Sequence, residues 1–142
     1  MIVLDTTVLV YAVGTEHRLR EPCRDLIGAI SRGTLQAATT IEVLQEFCHV
    51  RARRRGREDA ARRTRDYLDL LAPVLAVGER DLSEGLRLYA RSGRLGAFDA
   101  VLAATARGVN AAAIVSADGA FADADVVHVV PDANGVSALL RG

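Results

Sequence analysis

Hydrophobic and polar positions along the chain fall into blocks that read alternately as strands and helices. Ile2-Val3-Leu4 is an unbroken apolar run, the mark of a strand covered on both faces, and it stops abruptly at Asp5. A short apolar segment from Thr7 to Val13 follows, and Gly14-Thr15-Glu16-His17 breaks the pattern. A helix is predicted from about Leu19 to Arg32, where Cys23, Leu26, Ile27 and Ile30 recur at helical spacing, Pro22 suits the first turn and Gly33 ends it. Leu35 to Ala38 reads as a second strand leading into Thr39-Thr40, either of which can cap the next helix, striped by Ile41, Leu44 and Cys48 and widened by Val43, Phe47 and Val50.

The polar run Arg51 to Arg57 separates that helix from another over roughly Arg57 to Leu71, and Pro73 introduces a third strand at Val74 to Val77. A helix from Glu79 to about Ser92 places Leu82, Leu86 and Tyr89 on one face. After the loop Ser92 to Gly96, an alanine-rich helix runs from Ala97 to about Arg107 and is stopped by Gly108. Ala112 to Val115 is a fourth strand and Val126 to Val130 a fifth. Strands alternating with helices predict an open parallel sheet of about four to five strands flanked by helices, in one α/β domain over residues 1–142 without linker or repeat.

Half of the residues are hydrophobic, enough for a real core and against disorder. No apolar run approaches membrane-spanning length, and no basic leader precedes the first strand, so the expected location is the cytoplasm with no membrane partner. Cys23 and Cys48 have no metal-binding or redox spacing and read as small core residues. The 18 basic residues, all arginine, balance 18 acids to a net charge of zero. Any nucleic-acid binding must therefore come from a local patch or a bound metal ion.

Four acids stand where strands end or helices begin: Asp5 after the first strand, Glu46 in the helix after the second, Asp99 in the first turn of a helix, and Asp118 after the fourth strand. In a parallel sheet all strand exits share one edge, so if the first and fourth strands are neighbours these carboxylates converge. Each has a plainer explanation alone: Asp99 suits a helix dipole, and Asp118-Gly119 an ordinary turn. Asp5 is harder to dismiss, because the exit of a buried strand is a costly place for an unpaired charge. Clustered carboxylates without basic partners are stable mainly around a cation, and an oxygen-only set favours Mg2+ or Mn2+ and phosphodiester chemistry. Spacing alone does not choose between Glu42 and Glu46, one helical turn apart, and Asp123 or Asp125 could stand in for Asp118.

The runs Ile2-Val3-Leu4-Asp5-Thr6-Thr7, Val43-Leu44-Gln45-Glu46-Phe47, Gly96-Ala97-Phe98-Asp99-Ala100 and Ser116-Ala117-Asp118-Gly119-Ala120-Phe121 resemble the four acidic motifs of PIN-domain ribonucleases, more narrowly the VapC toxins of bacterial toxin-antitoxin pairs. The resemblance covers essentially the whole chain in order. It implies a metal-dependent endoribonuclease in which Asp5 and Asp99 are the main direct ligands of Mg2+, and Glu46 and Asp118 complete the site directly or through water. It selects Glu46 over Glu42 and Asp118 over its neighbours, and gives Thr6 and Ser116 the orienting of carboxylates or waters. It also implies an RNA substrate, a cognate VapB-type antitoxin that occludes the site, and a homodimer.

The densest charge, Arg51, Arg53, Arg54, Arg55 and Arg57 followed by Arg62, Arg63 and Arg65, is a candidate to hold RNA backbone, set against a solvated helix end that complements the dipole. Few aromatics accompany it. His17, His49 and His128 show no ligand-like arrangement, and no glycine-rich phosphate loop follows the first strand. An aspartyl-phosphate phosphatase would need a second acid where Thr7 stands. The remaining alternative is a catalytically silent PIN-like module that only binds RNA or a protein.

Overall fold

The computed structural model describes residues 1–142. Four short strands, β1 (Ile2–Leu4), β2 (Ala37–Ala38), β3 (Ala113–Val115) and β4 (His128–Val129), form one sheet in the order β2-β1-β3-β4, every neighbour parallel. β1 is central, and all three of its residues are buried, as its apolar sequence requires of a strand covered on both faces. Its register sets Ile2 beside Ala37 and Ala113, and Leu4 beside Val115. The C-terminal ends therefore share one edge, and the residues that follow them, Asp5, Thr39 and Ser116, emerge side by side there. The Thr39 hydroxyl donates to the Leu4 carbonyl at 2.9 Å, and the Asp5 amide to the Val115 carbonyl at 3.0 Å.

Seven helices connect and cover the strands: α1 (Thr6–Val13), α2 (Arg20–Ser31), α3 (Ile41–Arg55), α4 (Arg57–Leu71), α5 (Glu79–Arg91), α6 (Ala97–Gly108) and α7 (Ala133–Arg141). α1 packs on α2 and α3, α3 on α4, α5 on α6, and α7 on α2. Tyr67 of α4 meets Phe47 of α3 edge to face at 5.0 Å, and its hydroxyl donates to the Leu9 carbonyl at 2.9 Å, fastening three helices together.

Several segments differ from the sequence reading. Thr7 to Val13, read only as an apolar segment, belongs to a helix that starts directly after Asp5, whose side chain caps it by accepting from the Thr7 amide. The expected separator Arg51 to Arg57 is mostly helix. α3 runs through Arg55, because arginine is a good helix former and cations suit a helix C-terminus, and only Gly56, with φ of 86°, breaks the chain. The expected strand at Val74 to Val77 is one parallel bridge between Leu75 and Thr40. The strand expected over Val126 to Val130 shortens to His128–Val129, and helix α7 carries no expectation from the sequence reading.

The stripe Leu82, Leu86 and Tyr89 on α5 stands about half exposed, whereas Gly85 and Leu88 are buried. The reason is close approach. A Cβ at Gly85 would lie 2.8 Å from Cα and Cγ2 of Val101, so this glycine lets α5 sit directly on α6.

Candidate active site

Asp5 is 4% exposed, and local chemistry fixes its carboxylate. Oδ2 accepts from the Thr7 hydroxyl at 2.9 Å, from the Thr7 amide at 3.4 Å and from the Ser116 hydroxyl at 2.6 Å. The last bond follows from register: Leu4 pairs with Val115, so the next residues, Asp5 and Ser116, are neighbours across the sheet edge. Three donors on one oxygen hold the side chain in a single orientation and leave Oδ1 clear.

Each of the other acids comes from a different element. Glu46 extends from α3 at the exposed rim, where Oε2 accepts from the Thr6 hydroxyl at 2.8 Å. Asp118 caps the 3-10 turn Gly119–Asp123, its Oδ1 accepting from the Ala120 amide at 2.9 Å, while its own amide donates to Ser116 Oγ at 3.0 Å. Asp99 lies in the first turn of α6, partly buried. Its pKa is pushed up from 3.8 to about 7, first by loss of water and then by the charges of Asp5, Asp118 and Glu46. The other three acids thus act on Asp99 across the sheet edge, with no hydrogen bond or cationic side chain at Asp99 to offset them.

No group of three or more His, Cys, Asp or Glu side chains is already arranged as a metal-ligand set. The chemistry of the donors nevertheless fits a hard divalent cation. They are carboxylates only, Asp5, Glu46 and Asp118 each keep one oxygen outside their own hydrogen bonds, and a cation would relieve the repulsion felt by Asp99. Zinc would call for histidine or cysteine among the ligands. Here Cys23 is fully buried with its thiol pushed up to about 12, and His128 is engaged by a backbone carbonyl.

The PIN-domain family model matches residues 2–127. The chain belongs to this family. The match takes in all four acids and the strands that deliver Asp5 and Asp118. Ribonuclease VapC7 of Mycobacterium tuberculosis is 55% identical over 142 residues, covering 99% of this chain and 98% of the relative, which sets the chain among the VapC members. Among solved structures, VapC20 of Mycobacterium tuberculosis, described as a sarcin-ricin loop cleaving toxin, superposes with a TM-score of 0.76 at 19% identity, over 89% of this chain and 97% of that one. VapBC2 of Rickettsia felis, solved bound to a DNA fragment from its promoter, gives 0.69 at 17% identity, over 90% and 97%. At such identities the structural likeness shows the fold.

The structure separates the alternatives that spacing left open. Glu46, bonded to Thr6, contributes to the field at Asp99, whereas Glu42 is exposed in the first turn of α3 and does not. Asp123 is ion-paired with Arg94 and bonded to Ser92 Oγ, and Asp125 is paired with Arg91 and Arg107, so both are occupied in bracing α5 and α6.

Two residues beyond the sequence reading support the site. Thr7, besides donating to Asp5, accepts from the Ala117 amide at 2.9 Å and lies 3.4 Å from Ser116 Oγ. His128 Nε2 donates to the Ser116 carbonyl at 2.9 Å. The paired threonines after Asp5 were a visible signal for the first; the second has none, because only the β3–β4 register brings His128 there.

Within the arginine run, Arg51 differs from the rest. Its side chain is 11% exposed, and its guanidinium pairs with Asp59 and donates to the Val13 carbonyl at 3.0 Å, which joins α3 to α4 and to the end of α1. Arg53, Arg54 and Arg55 are exposed. Arg53 lies two turns beyond Glu46, about 10 Å along the axis and within roughly 20° of the same face, whereas Arg55 points to the opposite side.

Proposed function

We propose that this protein is a Mg2+-dependent endoribonuclease, the toxin of a VapBC-type toxin-antitoxin pair, which hydrolyses RNA phosphodiester bonds at Asp5, Glu46, Asp99 and Asp118. The observation that carries the reading is that partial burial and three neighbouring carboxylates, with no cationic partner, together disfavour the charged form of Asp99 at the exit edge of a parallel sheet. The 55% identity to a protein named as a ribonuclease supports the reaction class.

Asp5 and Asp99 are the direct ligands for Mg2+, with Mn2+ a substitute, and Glu46 and Asp118 complete the site directly or through water. When bound, Mg2+ supplies Lewis acidity to a phosphoryl oxygen and lowers the pKa of a water molecule. Ser116 and Thr7 hold Asp5 by its Oδ2, so the free oxygen is aimed before substrate arrives. Thr6 does the same for Glu46, placing a carboxylate oxygen at the rim where it can orient a water or accept its proton. Arg53 and Arg54 hold RNA backbone at the end of α3, while Arg51 serves the fold. The VapBC2 complex supports a VapB-type antitoxin as partner, and we expect a homodimer acting in the cytoplasm.

One observation favours the silent binding module instead, namely that no three carboxylates form a ready ligand set. The test is cleavage of RNA with Mg2+ or Mn2+ against a chelator control. Asp5→Ala and Asp99→Asn are each expected to abolish metal-stimulated cleavage while leaving the circular dichroism spectrum intact. Full activity in either variant sinks the assignment, and binding without turnover at any metal concentration selects the silent module.

A further inference from the structure

Phe98 immediately precedes Asp99 in the first turn of α6 and is 82% exposed, whereas Phe47 and Phe121, the other two phenylalanines, are fully buried. Left in water, the ring forgoes the stabilisation that burying it would contribute to folding. It packs in no aromatic pair, unlike Tyr11, Phe47, Tyr67 and Phe121. Its position is not neutral. The ring shares the first turn of α6 with Asp99 and stands about 100° round the helix from it, beside the acidic site rather than within it.

The surroundings suit a polyanion as well. Arg94, 58% exposed and ion-paired with Asp123, lies within electrostatic reach of Asp118, and Arg91, at the end of α5, is exposed and paired with Asp125. An exposed apolar ring on the helix turn that carries Asp99, in a region that also carries exposed guanidinium groups, matches what a single-stranded nucleic acid presents: a base face next to a charged backbone.

We propose that Phe98 is the stacking platform for an unpaired RNA base flanking the scissile phosphate. This rests on the ribonuclease reading of the acids and deepens it by assigning a contact to the substrate's base. Stacking recognises a π-face with little regard to base identity, so Phe98 enforces single-stranded or looped substrate and leaves sequence choice to other groups. An intact duplex, with its bases already stacked on one another, offers the ring no face.

The test is a double-mutant cycle on the full chain. Fluorescent single-stranded oligoribonucleotides, with and without one abasic site next to the cleavage position, are titrated with wild type, Phe98→Ala, Phe98→Leu and Phe98→Trp by anisotropy in Ca2+, and cleavage is followed separately in Mg2+. Phe98→Ala and Phe98→Leu are expected to weaken binding about 5- to 160-fold, from the worth of base stacking, and Phe98→Trp to keep it. The abasic site should weaken wild type by a similar factor and Phe98→Ala hardly at all, the non-additivity that identifies a direct contact.

Equal loss in both proteins, or unchanged RNA binding in Phe98→Ala, overturns the proposal. If the unchanged RNA binding comes with an altered oligomeric state, the ring belongs to a protein interface instead. Coupling to the abasic site without cleavage by wild type in any metal keeps the stacking contact and refutes the ribonuclease reading.

Discussion

Replacing Asp99 by asparagine removes one charge from a cluster of four while keeping the size and shape of the side chain. Its carboxyl is lifted from 3.8 to about 7 because water is partly excluded and because Asp5, Asp118 and Glu46 repel its charged form. At 1.36 kcal/mol per pH decade, that lift would cost the folded state at most about 4 kcal/mol. Asp99 is only partly buried, and solvent screening reduces this to roughly 1–2 kcal/mol.

The sign follows from linkage. The folded pKa lies above the unfolded value, so the contribution favouring the fold is fully present below pH ~4 and is lost as pH rises through about 7. The asparagine side chain cannot ionise and keeps that contribution throughout. In chelator-treated buffer at pH 8, Asp99→Asn should therefore melt about 3–8 °C above wild type, and the gap should close by pH ~4. Added Mg2+ should reverse the order, raising the wild-type midpoint by mass action and the variant's much less. A variant that melts at or below wild type at pH 8, or a gap that persists at pH 4, would refute the claim that lost hydration and the neighbouring carboxylates disfavour the charged form of Asp99.

The packing and the arginine run give further expectations. Gly85→Ala places a methyl group against Val101 and should destabilise by roughly 1–3 kcal/mol, read as a lower urea midpoint; since Val101 follows Asp99 closely on α6, metal-dependent cleavage should fall as well. Arg53→Ala should weaken RNA binding and make log K against log salt shallower by about 0.7, whereas Arg55→Ala, on the far side of α3, should leave the slope alone; equal effects would remove helix geometry from the argument. Arg51→Ala should lower the melting temperature with little change in salt slope, because its partners are Asp59 and a backbone carbonyl.

The hydrophobic pattern by itself determined the buried first strand, the alternation of strands and helices, and Asp5 as an acid at a strand exit, because covered parallel strands are uniformly apolar and a charge at their exit stands out against them; Glu46 and Asp118 were singled out among neighbouring acids only by the family resemblance. The pattern did not determine which way helical faces turn. On α5 the apolar stripe lies outward, since burial was decided by the absence of a side chain at Gly85, and Arg51 lies inward because Asp59 and Val13 happen to meet it there. Neither the ladder of Ser116 and Thr7 on Asp5 nor the support from His128 could be read from spacing, since each depends on the register of strands distant in the chain. The same holds for Phe98, an ordinary core residue by type that the first turn of α6 leaves in water beside Asp99. Local periodicity fixes what a segment is, and long-range register fixes what it faces.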